Sequence, residues 1–75
     1  MQIREQGVIK QFNSERGFGF IVREGCPDLF FHISALEPGA GELIQQGMRV
    51  VFEVKQDERD GRMRAATVEL LYRKG

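Results

Sequence analysis

The chain has 75 residues, enough for one domain: a protein this short buries only about 60% of the surface its unfolded chain exposes, which leaves nothing for a second core. Apolar residues make up 41% of it and are spread among charged ones, which excludes a disordered tail and predicts a domain that folds alone. Eleven Lys and Arg balance eleven Asp and Glu, so net charge gives no argument for a polyanionic partner, and any basic surface must come from local arrangement.

In chain order, Gly7 to Asn13 sets Val8, Ile9 and Phe12 among polar residues and runs into Asn13, Ser14 and Gly17, the pattern of a strand closed by a turn. Phe18 to Arg23 is a run of β-favouring residues ended by a turn-rich stretch from Glu24 to Asp28. Leu29 to Ile33 repeats the pattern. Between Glu37 and Gly47, Pro38 and the glycines Gly39, Gly41 and Gly47 confine any helical turn around Leu43 and Ile44 to a short, loop-bound piece. Val50, Phe52 and Val54 alternate with Val51, Glu53 and Lys55 as in a half-buried strand, and Asp57 to Gly61 reads as a charged hairpin turn. From Met63 onward, Ala66, Val68 and Leu70 alternate with Ala65, Thr67 and Glu69. Five short strands without helical periodicity predict an all-β fold, a small antiparallel barrel whose closure removes exposed edges. The domain is placed at residues 6–72, with 73–75 a short basic tail.

Successive side chains on a strand face opposite sides, so Phe18 and Phe20 share one face while Gly19 and Ile21 share the other. On the next strand Phe30 and His32 oppose Leu29, Phe31 and Ile33. One barrel has one interior. If Ile21, Leu29, Phe31, Val50, Phe52, Val54, Val68 and Leu70 fill it, Phe18, Phe20 and Phe30 project outward, with His32 beside them. An exposed aromatic patch calls for a ligand, and stacking of unpaired bases supplies one, at roughly 1–3 kcal/mol per base. Lys10 and Arg16 flank the patch, and Arg62 and Arg64 near the hairpin are placed to meet phosphates. The expected activity is binding of single-stranded RNA or DNA. The alternative is a protein-interaction barrel that docks the same face on another polypeptide.

The segments Gly7–Asn13 (GVIKQFN), Arg16–Ile21 (RGFGFI) and Leu29–Ser34 (LFFHIS) closely resemble the bacterial cold-shock proteins and their Y-box relatives, over nearly the whole chain. The GFGF and FxH segments look like that family's two ribonucleoprotein motifs, and both follow a KxFN strand at the proper spacing. The resemblance implies an OB-type barrel and a sequence-tolerant RNA chaperone, or cold-shock-type regulator, that holds transcripts unpaired. By the same resemblance Phe18, Phe20, Phe30 and His32 stack bases, Phe12 lies partly exposed beside them, Lys10 and Arg16 are basic contacts, Asp28 contacts bases, and Arg62 stands for the family's hairpin arginine, within a residue or two. Gly7, Gly17 and Gly19 match positions where bulk is disfavoured. Gln11, Ile33 and Gly41 depart from the family, standing where aromatics are usual, and each removes a stacking surface.

Other chemistry is poorly supplied. His32, Cys26 and Asp28 suggest at most an incomplete zinc site, with one histidine, one cysteine and no fourth ligand. Gly17 and Gly19 form an incomplete GxGxxG with no following helix to hold a phosphate. No cluster of acid, base and nucleophile points to an enzyme, and neither a cofactor, a metal nor a small-molecule substrate is expected. The lone Cys26, an amino-terminal MQIREQG without an apolar signal core and the absence of a membrane-length apolar run predict a cytoplasmic monomer that does not engage membranes.

Overall fold

The computed structural model describes residues 4–71, so the expected basic tail at 73–75 lies outside the described residues. Strands β1 (Arg4–Asn13), β2 (Phe18–Val22), β3 (Leu29–His32), β4 (Arg49–Gln56) and β5 (Met63–Leu70) close a barrel in the order β1-β2-β3-β5-β4. This is the expected all-β, five-stranded barrel. One pairing departs from an antiparallel sheet: β3 and β5 run parallel, through Phe30 opposite Arg64 and Phe31 opposite Ala65. The cause is the long connection from Ile33 to Met48, which crosses an end of the barrel before β4 begins. It holds two single 3-10 turns, Ile33–Ala35 and Ala40–Glu42, and no longer helix forms among the described residues.

The first strand begins at Arg4 and serves two neighbours. Residues Arg4 to Val8 pair with β4, and Val8 to Asn13 pair with β2. A strand shared in this way must bend. The bend has two devices: a β-bulge, in which Ile9 pairs with Ile21 but Gln11 with Phe20 so that Lys10 is the extra residue, and Gly7. A methyl group at Gly7 would lie 2.6 Å from Cγ2 of Ile21 and 2.7 Å from the Val22 carbonyl oxygen.

Ile9, Ile21, Leu29, Phe31, Val50, Phe52, Ala65 and Val68 fill the barrel, each no more than 2% exposed. Removing such side chains from water contributes roughly 1.5–3 kcal/mol for each large one. Val54 and Leu70, expected inside, instead pack partly buried against this core. Strand β5 also breaks the simple alternation, because Glu53 pairs with Thr67 while Val54 pairs with Ala65. The bulge leaves Ala66 unpaired and turns Ala65 inward. Leu36 and Ile44, both from the β3–β4 connection, complete the core. A parallel bridge between Leu36 and Val68 ties that connection to β5.

Candidate nucleic-acid interface

The geometry of β2 and β3 separates two sets of aromatic and apolar side chains. Phe18 pairs with His32, Gly19 with Phe31, Phe20 with Phe30 and Ile21 with Leu29. Gly19, Ile21, Leu29 and Phe31 are buried; Phe18, Phe20 and Phe30 are half-buried on the outer side and His32 is exposed. The three outer rings form one cluster. Phe18 and Phe30 lie 5.8 Å apart at 30°, Phe20 and Phe30 5.9 Å apart at 72°, and Phe18 and Phe20 6.2 Å apart at 87°. Such offset and edge contacts suit the ring quadrupoles and hold each ring in a fixed attitude.

Close packing below the sheet keeps this face in place. A methyl group at Gly19 would stand 2.6 Å from the Gln11 carbonyl oxygen and 2.8 Å from Cζ of Phe31, so glycine lets the Phe31 ring lie against the backbone of β2. The turn before β2 is organised by Asn13, whose Oδ1 accepts the N–H groups of Glu15 and Arg16, each at 3.0 Å. Arg16 is exposed in this turn, which leads into Phe18.

His32 ends the face. Its Nδ1 accepts the N–H of Ser34 at 3.1 Å and lies 2.9 Å from the Ser34 hydroxyl. With Nδ1 engaged as an acceptor, the neutral ring carries its proton on Nε2, leaving a donor for a ligand. Lys10 and Asp28, which the sequence offers as separate contacts, are partners here: Nζ of Lys10 meets Oδ2 of Asp28 at 2.7 Å. Both are solvent-accessible, so the pair contributes at most about 1 kcal/mol.

Phe12 is set apart from the other rings. Its ring is stacked on buried Phe31 at 5.8 Å and 4°, on the inner side of the sheet. Its remaining exposed edge borders a shallow recess shared with Gln11 and Phe18. Gln11 itself lies on the outer face, exposed, as the cross-strand partner of Phe20. Ile33 is 38% exposed and lies beside Gly41, where a methyl group would come within 3.2 Å of its Cδ1. Neither of these positions carries a ring.

At the other end of the face the parallel pairing with β5 brings Arg64 beside Phe30. Arg62 and Arg64 share a recess with Phe20 and Phe30, together with Asp57, Asp60 and Met63. The last three were missed by sequence reasoning, because the adjacency of β3 and β5 has no local signature in either strand. Asp57 faces Arg64, with Oδ2 3.8 Å from Nη1.

Comparison with known proteins agrees with this architecture. The family model described as the "'Cold-shock' DNA-binding domain" matches residues 5–71. Cold shock protein CspC of Bacillus subtilis (strain 168) is 46% identical over 55 residues, covering 73% of this chain and 83% of its own. Cold shock-like protein CspLB of Listeria monocytogenes is 44% identical over 55 residues, with the same coverage of 73% and 83%. The major cold shock protein of Streptococcus pyogenes serotype M18 is 41% identical over 54 residues, covering 72% of this chain and 81% of its own. With the matched family model spanning β1 to β5 and relatives this similar, the chain belongs to the cold-shock domain family.

Proposed function

We propose that this domain binds single-stranded RNA or DNA on the outer face of β2 and β3, and acts as an RNA chaperone or cold-shock-type regulator without catalysing a reaction. Bases stack on Phe18, Phe20, Phe30 and His32, while Lys10, Arg16 and Arg62 meet phosphates and Asp28 contacts a base edge. Phe12 contributes only its exposed edge. One observation carries the reading: three phenylalanine rings within 6.2 Å of one another face solvent from strands whose opposite faces are already buried. Packing of the barrel does not require them there. The family match and the relatives' names as cold shock proteins support the same reading. Residues 6–72 act as the unit, as a monomer, and the exposed free thiol of Cys26 suits a reducing compartment such as the cytoplasm.

A fluorescence-anisotropy titration with single-stranded and duplex oligonucleotides at two salt concentrations tests it. Single strands bind and duplex does not, because paired bases keep their faces stacked. Log affinity falls with log salt by about 0.7 per neutralised phosphate. Equal affinity for duplex sinks the stacking mechanism, and affinity for a protein partner with no affinity for either nucleic acid turns the face into a protein-docking surface.

A further inference from the structure

The β4–β5 hairpin builds a feature that base stacking alone does not use. A recess of about 310 Å³ has Phe20, Phe30 and half-exposed Met63 as its apolar lining. Its polar lining, called the rim below, comes from two acidic residues, Asp57 and Asp60, and two arginines, Arg62 and Arg64. Their charges sum to zero, so this rim is not a simple phosphate clamp; it is an array of acceptors and donors next to an aromatic lining.

The hairpin holds that array in fixed positions. The N–H of Asp57 donates to the Arg62 carbonyl at 2.7 Å, the N–H of Gly61 to the Asp57 carbonyl at 2.8 Å, and Nε2 of Gln56 to the Gly61 carbonyl at 2.9 Å. Each carboxylate is oriented by the backbone: Oδ1 of Asp57 accepts from the N–H of Arg59 at 2.8 Å, and Oδ1 of Asp60 from the N–H of Arg62 at 2.9 Å. Asp57 also faces Arg64, whereas Oδ2 of Asp60 has no intramolecular hydrogen bond among the described residues. An ionised carboxylate has about four acceptor sites. Asp60 therefore keeps two oxygens able to accept from a ligand.

On this basis, and resting on the single-strand binding reading above, we propose that the recess reads one base and selects guanine, with Asp60 as the specificity-determining residue. Guanine presents two adjacent donors, N1–H and N2–H, that one carboxylate accepts together. Uracil and thymine present a single N–H between two carbonyl oxygens, whose lone pairs oppose the carboxylate. Adenine and cytosine set an amino group beside a bare ring nitrogen, so only one of their positions is matched. Guanine's O6 and N7 remain to accept from an arginine of the same rim, the pairing that arginine makes with this base elsewhere. An unpaired strand leaves its Watson–Crick edge open to such reading.

The test measures anisotropy of the full chain with a uridine heptamer and with heptamers carrying one guanine, one adenine or one cytosine at successive positions. The wild-type chain binds the best guanine heptamer roughly tenfold more tightly than the uridine heptamer. Asp60→Asn keeps the oxygen that accepts the Arg62 N–H and replaces the other by an amide donor, so the turn is retained. In that variant affinity for the guanine heptamer falls and affinity for the uridine heptamer does not, since the amide no longer opposes uracil's carbonyls, so the guanine preference drops to within about twofold. Wild-type affinity that is equal for uridine and guanine heptamers, or a guanine preference that survives in Asp60→Asn, overturns guanine selection and leaves stacking intact. Failure of every heptamer to bind overturns both.

Discussion

Phe30 and Phe31 are consecutive in the chain and serve opposite ends of the protein's physics. Phe31 is fully buried and stacked on Phe12, while Phe30 lies outside, against Phe18 and Phe20. Pleating alone separates them, and the two residues therefore respond differently to truncation. Phe31→Ala leaves a cavity in the core and lowers stability by about 3–5 kcal/mol, a large part of the roughly 5–15 kcal/mol that holds a domain together. Phe30→Ala keeps the fold and lowers affinity for a single-stranded oligonucleotide by about 1–3 kcal/mol, one stacked base. Urea unfolding and anisotropy on both variants separate the two effects. Loss of stability in Phe30→Ala equal to that in Phe31→Ala counts against an outward, ligand-facing role.

The glycine beneath the face sets the second expectation. Gly19 admits Phe31 because it has no side chain, and Gly19→Ala places a methyl 2.6 Å from the carbonyl oxygen of Gln11. Backbone oxygen cannot swing aside as a flexible side chain does. Strands β1 and β2 must separate or the Phe31 ring must shift, at a cost of about 1–3 kcal/mol. The urea midpoint falls accordingly. An unchanged midpoint shows that the two strands yield without cost and that close packing is not what holds the aromatic face.

The parts of the fold legible in the sequence are those governed by local period. The alternation in Phe18–Ile21 and Leu29–His32 gives the correct inner and outer faces, since neither stretch contains a bulge. It fails in β5, where the bulge at Ala66 turns Ala65 inward, because the extra residue shows itself only through pairing with β4. Phe12, which the resemblance sets partly exposed beside the outer rings, is half-buried and shares a recess with Phe18, while the bulge at Lys10 stacks its ring on Phe31, a placement alternation from Ile9 does not give. Leu36 and Ile44 lie in a glycine-rich connection without period, so their burial depends on where that segment crosses the barrel. The same limitation hides Asp57 and Asp60: their place beside Phe20 and Phe30 follows from the parallel β3–β5 neighbourhood.

Charge placement separates Arg16 from Lys10. The Lys10 ammonium is already met by Asp28 at 2.7 Å, whereas Arg16 is exposed in the Asn13 turn that leads into Phe18. Neutralising a phosphate shifts the salt slope for a single strand by about 0.7. Arg16→Gln therefore flattens the slope by about that amount. Lys10→Gln flattens it by less, because Asp28 competes with phosphate for the same ammonium. Slopes of log affinity against log salt for the two variants check this, and an equal or larger change in Lys10→Gln shows that the Asp28 pair opens freely when a strand binds.

Gln11 offers a gain-of-function test of the whole face. It is exposed, projects outward and sits across the strand pair from Phe20, so a ring at this position adjoins the existing cluster without entering the core. Tryptophan suits a strand better than glutamine does, and its large face adds one more platform beside Phe20. Gln11→Trp thus leaves the urea midpoint nearly unchanged and tightens binding to a pyrimidine heptamer by about 1–3 kcal/mol, the contribution of one further stacked base. The heptamer is the right probe because uniform pyrimidines supply a base at whichever position meets the new ring. The same substitution leaves duplex affinity where it was, since paired bases have no free face to offer it. Unchanged heptamer affinity with an intact fold means that the strand does not pass over β1 at Gln11, and it confines the binding track to β2, β3 and the hairpin beyond them.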